Sequence, residues 1–188
     1  MKMLTKKFLR RKYIDLRKKL PPKVVSLKSK EITKRLFTNS GFADKNYILA
    51  YLPVNNEVET RHIITYLFKN KKKVFVPCLR TSDHTYHFCQ LTSFKNLEFG
   101  PYKILQPKNH RIIDARQLEA AILPGVAFDK KGVRLGYGKG VYDKLLANFR
   151  GLKIGLAYDF QVVDRLPREK HDLVMDIIVS EKRMLEIT

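Results

Sequence analysis

Apolar and polar positions alternate along this chain in two rhythms, one helical and one strand-like. From Thr5 to Leu20, Phe8, Leu9, Ile14 and Leu16 stand among eight basic residues, which predicts a helix with a narrow apolar face. Pro21 and Pro22 stop it. A second helix is expected from Lys23 to Phe37, burying Val24, Val25, Leu27, Ile32 and Leu36, until Asn39, Ser40 and Gly41 break the pattern. The continuous apolar run Tyr47 to Leu52 then has strand length. The loop Pro53 to Asn56 and a helix from about Thr60 to Lys69 follow it.

Lys73 to Pro77 reads as the next buried strand, and Tyr86 to Leu91 as an antiparallel or edge strand beside it. Gly100–Pro101 and Gln106–Pro107 make Thr92 to Arg116 a long connection with little regular structure. Order returns with a strand at Ala120 to Pro124, a loop through Gly140 and a helix to about Phe149. Strands at Leu152 to Tyr158 and Asp176 to Val179 complete the pattern. This β–α alternation predicts an α/β sandwich with a mostly parallel sheet and ligand loops at the carboxyl ends of its strands.

With 188 residues, 44% of them hydrophobic, one domain spanning residues 1–188 suffices for a substantial core without disulfides or structural metal. Cys78 and Cys89 form no CxxC pair, and the amino-terminal segment is too charged for a signal peptide or a membrane span. A reducing, cytoplasmic home is the expectation. The formal charge of +20 points to anionic partners without choosing between nucleic acid and small polyanions.

Chemistry concentrates between Pro124 and Asp143. Gly136, Gly138 and Gly140 allow the backbone to approach an anion closely, a helix start is expected to follow them, and Arg134 and Lys139 supply formal positive charge. These are the parts of a phosphate cradle. It is not a Walker A loop, because Val133 stands five residues before Gly138 and Gly140 follows Lys139. Nor is it a dinucleotide fingerprint, because Val141 falls where the third glycine belongs. Asp143 in the first helical turn and Asp176 before the last strand are the candidate ligands for Mg2+ shared with nucleotide phosphates.

Read as a whole, Leu123 to Asp143 resembles the signature of the 5-formyltetrahydrofolate cyclo-ligase family, PGxAFDxxGxRLGxGxGYYD. The resemblance extends to the KxxLR pattern at Lys6 to Arg10, the segment Asn56 to Thr60, and Glu169 to Asp176. Val141 replaces the first tyrosine of the usual YYD, Lys144 replaces a common arginine, and Gln106 replaces a frequent glutamate. The resemblance implies a three-layer α/β/α fold around a six-stranded sheet. It also implies ATP-dependent closure of 5-formyltetrahydrofolate to 5,10-methenyltetrahydrofolate, with Mg2+ as cofactor and a monomeric enzyme. On this basis Lys6 and Arg10, together with Arg134, Leu135, Gly136, Tyr137, Gly138, Lys139, Gly140, Val141 and Tyr142, are expected to bind ATP. Val54, Glu59 and Tyr137 through Val141 are expected to contact the folate, Arg134 and Lys139 to be catalytic, and Asp143 and Asp176 to hold magnesium.

Two other readings stay open on residues alone. A basic nucleic-acid-binding protein would use the charge and stack bases on Tyr13, Tyr47 and Tyr51, although no RRM, KH, zinc-finger or helix-turn-helix signature stands out. A different ATP-dependent enzyme could use the same loop. The irregular set Cys78, His84, His87 and Cys89 lacks zinc-ligand spacing, and His171 is as suited to supporting a loop as to touching a ligand.

Overall fold

The computed structural model describes residues 5–80, 85–100, 104–108 and 111–187. His84 therefore lies outside the described residues. Eight strands form one sheet: β1 (Tyr47–Leu49), β2 (Lys73–Arg80), β3 (Thr85–Leu91), β6 (Ile112–Ile113), β7 (Ala120–Pro124), β10 (Leu152–Leu156), β12 (Ile177–Val179) and β13 (Met184–Glu186). Their order is β13-β12-β10-β7-β1-β2-β3-β6. The five strands from β12 to β2 run parallel, and antiparallel β13 on one edge and β3 and β6 on the other extend them. The sheet has eight strands where six were expected. The added pairing is short: β6 contributes two residues and β13 three.

Side-chain alternation assigns each face. Ile48 and Ala50, Val74 and Val76, and Ala120 and Ile122 point to the side covered by α2 (Pro22–Leu36), α3 (Ser40–Ala43) and α4 (Arg61–Lys69). Leu49, Phe75, Ala121 and Leu123 point to the other side, where Phe128, Leu146 and Phe149 cover them. That second layer is only partly helical. Its helix α5 (Val141–Leu145) has five residues, and beside it a small sheet of β8 (Ala127–Asp129), β9 (Arg134–Leu135) and β11 (Val162–Val163) carries α1 (Lys6–Lys18).

α1 departs from the expected face. Thr5 caps it by accepting from the Phe8 N–H, but the buried positions are Leu9, Tyr13 and Arg17, while Phe8 is 52% exposed. Buried residues four apart set the stripe, and its last member is a cation. In α2 the buried set is Val25, Ser29, Ile32 and Leu36, with Leu27 exposed. The connection after β3 holds more structure than its turn residues suggest. β4 (Leu97–Phe99) pairs with β5 (Leu105–Pro107), and the Gln106 side chain accepts from the Leu79 N–H at 3.0 Å.

The cysteine expectation also changes. β2 and β3 pair Cys78 with His87 and Val76 with Cys89, so the two cysteines lie diagonally on one face with Cα atoms 5.9 Å apart, joined as a disulfide. His87 instead contacts Thr85 Oγ1. No helix among the described residues is long and apolar enough to cross a membrane.

Candidate active site

The chain reverses direction across the sheet at β1, which passes to β2 on one side while β7 lies on the other. Such a switch point opens a crevice at the carboxyl ends of the strands. Here it is a cleft of about 610 Å³ lined by Tyr51 and Leu52 after β1, Pro77 of β2 and Pro124 of β7.

One wall is the glycine-rich loop. Arg134 is buried and donates through one guanidinium nitrogen to both oxygens of Asp143 at 3.0 Å, and through the other to the Pro124 carbonyl at 3.3 Å. Its Nε is buried without a hydrogen-bond partner among the described residues. Gly138 adopts φ +100°, and a Cβ there would stand 3.2 Å from the Arg10 guanidinium, whose Nε donates to the Gly136 carbonyl at 2.9 Å. Its dihedral calls for glycine, and a side chain there would also crowd the Arg10 guanidinium. Because α5 is barely more than one turn, its dipole adds little. The loop amides and the charges of Arg10, Arg134 and Lys139 must supply most of the attraction for phosphate.

At the outer end, Lys6 Nζ lies 2.7 Å from Asp172 and 3.1 Å from Glu169. Burial disfavours the charged forms of Lys6 and Asp172, yet their hydrogen-bonded ion pair outweighs it, raising the lysine and holding the aspartate below the ordinary carboxylate range. Glu169, His171 and Asp172 bring their ligand atoms within 4.8 Å of one another, but the Lys6 ammonium already sits on that group.

The opposite wall is the loop after β1. Asn55 and Asn56 take left-handed conformations at φ 50° and 57°, and Asn56 Nδ2 donates to the carbonyls of Arg17 and Leu20 at the end of α1. Tyr51 and Tyr158 donate through their hydroxyls to the carbonyls of Val58 and Glu57. This frame turns Glu57 inward, 4% exposed. Its Oε2 accepts from the Val54 N–H at 3.0 Å and its Oε1 from the Tyr137 hydroxyl at 3.0 Å. Burial raises the Glu57 pKa, partly offset by that N–H, Arg17 and Tyr137. The Tyr137 hydroxyl is pushed up to about 12, chiefly by burial and the Glu57 charge.

The family model for 5-formyltetrahydrofolate cyclo-ligases covers residues 2–181. The chain belongs to that family. It is 32% identical to the Saccharomyces cerevisiae 5-formyltetrahydrofolate cyclo-ligase, over 94% of this chain and 95% of that one. It is 28% identical to the Escherichia coli 5-formyltetrahydrofolate cyclo-ligase, over 90% and 97%. The solved structure of Aquifex aeolicus 5,10-methenyltetrahydrofolate synthetase superposes with a TM-score of 0.87 at 30% identity, covering 98% of this chain and 93% of that one.

Of the residues expected for a cyclo-ligase site, Lys6, Arg10, Val54 and the run from Arg134 to Asp143 all line the cleft. Glu59 does not. Its N–H donates to Ser29 Oγ, and the carboxylate that this Asn56 to Thr60 segment presents to the cleft is Glu57, two residues earlier. A motif match does not tell which of two acids turns inward. The discriminating feature is the paired asparagine turn at 55 and 56, which brings Glu57 back onto the Val54 amide. Leu52 is a second lining residue absent from the expected set.

Asp176 lies apart from these residues. It precedes β12, at the amino end of a strand parallel to β10, and its Oδ2 accepts from the Lys153 backbone N–H at 2.7 Å and faces the Lys153 ammonium at 2.9 Å. The structure does not bring it into the cleft beside Asp143. From the segment before β12 it is Leu173 that meets Asp143, its N–H donating to Oδ1 beside the Arg134 guanidinium. Of the tyrosines considered for base stacking, Tyr13 and Tyr51 are buried and Tyr47 stacks on Phe75.

Proposed function

We propose that this cleft performs the family reaction: ATP-dependent cyclisation of 5-formyltetrahydrofolate to 5,10-methenyltetrahydrofolate, with release of ADP and phosphate. The observation carrying this reading is a single cleft in which the Arg134 to Asp143 phosphate loop faces the buried Glu57 carboxylate. In the reaction, the formyl oxygen attacks the γ-phosphorus of ATP and ADP leaves, giving an N5-iminium phosphate. The N10 amine then attacks the same carbon and phosphate departs. No enzyme nucleophile is required, so the protein contributes alignment and charge.

Lys139 and the loop amides meet the charge that spreads over the transferred phosphoryl group, and Arg134, buried behind the loop against Asp143, adds its charge from beneath. Lys6 and Arg10 hold the outer phosphates or ribose of ATP from α1. Each Glu57 oxygen already accepts one hydrogen bond and keeps capacity for another, enough for the adjacent N–H donors of a pterin edge. Val54, Leu52 and Tyr137 flank that carboxylate. The donors near the phosphate loop are carboxylates, hard oxygen ligands that fit Mg2+ held largely by phosphates and water, and Asp143 is the ligand proposed here. Bound there, Mg2+ would neutralise phosphate charge. We take the working enzyme to be a cytoplasmic monomer acting without nucleic acid or membrane.

The test is appearance of the methenyl chromophore in the near ultraviolet when protein, 5-formyltetrahydrofolate and Mg-ATP are combined, with ATP-free and Mg-free controls. No chromophore from folded protein that binds ATP sinks this reading and favours another ATP-dependent substrate. Within it, Glu57→Gln raises the folate KM by on the order of tenfold or more and leaves the ATP KM within about twofold, since a charged acceptor is worth about 1.5–3 kcal/mol. Glu59→Gln keeps both constants near wild type. A reversed ranking would return the folate contact to Glu59. Asp143→Asn raises the Mg2+ concentration needed for half-maximal rate, whereas Asp176→Asn leaves that concentration unchanged and instead lowers the melting temperature. A shifted Mg2+ dependence in Asp176→Asn would restore the expected pair.

A further inference from the structure

Arg17 lies beneath the cleft and does not line it, yet it touches both of its walls. It is 1% exposed, an unusual state for a guanidinium. Its Nε donates to the Asn55 carbonyl at 2.9 Å and one terminal nitrogen to the Gly125 carbonyl at 3.2 Å. The other terminal nitrogen donates to the Tyr137 hydroxyl and stands 3.9 Å from Glu57 Oε1. Tyr137 passes the interaction on, because its own O–H donates to that same Glu57 oxygen. Four segments distant in sequence thus meet on one side chain: α1, the loop after β1, the turn after β7 and the glycine-rich loop.

We propose that Arg17 is a positioning residue for the folate half of the cleft, holding Glu57 as an ionised acceptor and fixing Tyr137 of the phosphate loop against it. This rests on the folate reading of the cleft. Three fixed donor directions on a planar cation suit the task, and a lysine ammonium could not reproduce all three. A buried carboxylate without a cation tends to take a proton. The groups facing Glu57 are Arg17 from α1, Tyr137 from the glycine loop, Tyr51 after β1 and Tyr142 of α5, with the Tyr158 hydroxyl on its backbone carbonyl. Arg17 is the cation among them. Its removal therefore raises the Glu57 pKa further, leaving the carboxyl protonated at lower pH and ionised again as pH rises.

The experiment measures the folate KM, and folate affinity by calorimetry without ATP, from pH 6.5 to 9 for wild type, Arg17→Met, Arg17→Lys and Tyr137→Phe. Wild type is expected to be flat. Arg17→Met should weaken folate binding on the order of tenfold for each unit by which the Glu57 pKa exceeds the working pH, and recover toward wild type at pH 9. Arg17→Lys keeps the charge, so its folate profile should be flat again while kcat falls several-fold from the loosened loop. Tyr137→Phe, which removes one hydrogen bond that favours the ionised Glu57, should raise the folate KM several-fold, most at low pH.

Adding Glu57→Gln to Arg17→Met must abolish the pH dependence. Wild-type folate binding in folded Arg17→Met, or a loss equal at every pH, overturns the proposal. Should Arg17→Met fail to fold, wild-type behaviour in both Arg17→Lys and Tyr137→Phe overturns it equally. Absence of methenyl formation by wild type is a separate failure, that of the cyclo-ligase reading itself.

Discussion

Lys139→Ala is expected to lower kcat by on the order of 10²–10³-fold, the range for removing one preorganised charge or donor from a transition state. The folate KM should move far less. Lys139 lies between Gly138 and Gly140, both with positive φ, at the tip of the loop lining the cleft. The backbone there lets the loop fold around an anion, and in the proposed reaction the ammonium would stand beside the transferred phosphoryl group. Negative charge grows on the bridging and equatorial oxygens as the formyl oxygen attacks, so a fixed cation is worth more in the transition state than in the ground state. Lys139→Arg should recover part of the rate, because charge returns without the same reach. Lys170→Ala is the control: it removes an exposed cation outside the cleft from a protein of charge +20 and should leave kcat unchanged. Single-turnover rates of chromophore formation separate these outcomes from slow product release. Equal loss in both variants would mean that net charge alone attracts the nucleotide.

The contrast between specific and general charge also marks what was legible in the sequence. Local periodicity placed α2, α4, β2, β3, β7, β10 and β12 because their apolar runs repeat the faces they bury. The glycine loop was legible because its residue types are restricted by backbone conformation, as Gly138 shows. Illegible features depended on contacts distant in sequence. Arg17 is buried because carbonyls from residues 55 and 125 converge on it, and nothing in the helical rhythm of α1 announces that. Glu57 and Glu59 are equivalent in a motif and are separated only by the asparagine turn and its anchors on α1. The contact of Asp176 with Lys153 follows from the side-by-side pairing of β10 and β12. The Cys78–Cys89 pairing required the β2–β3 register.

Asp129→Ala is expected to be the most damaging single change to stability, and it acts on the site through the fold. Asp129 is 1% exposed and lies in the family signature, where residue type alone does not reveal its task. Its Oδ1 accepts from the Lys131 and Val133 N–H groups at 2.9 and 3.0 Å, and its Oδ2 from the Leu166 N–H at 2.9 Å. One carboxylate therefore closes the turn between β8 and β9 and fastens the 160s loop to it. Alanine would leave three backbone donors without it, two of them at buried residues. At about 1–3 kcal/mol for each orphaned donor, with incomplete additivity, the loss should reach about 3–5 kcal/mol. Against a total of roughly 5–15 kcal/mol that is a large fraction, and it corresponds to a melting temperature lower by on the order of 10 °C. Asp129→Asn keeps the volume but turns an amide donor toward N–H groups, so it should fall between wild type and alanine. Activity measured well below the melting temperature should also drop, because Arg134 follows Val133 directly and takes its position on the cleft from this turn. Full activity in an Asp129→Ala protein of greatly reduced stability would mean that Pro124 and Asp143, which hold the Arg134 guanidinium, suffice to place it without the turn beneath.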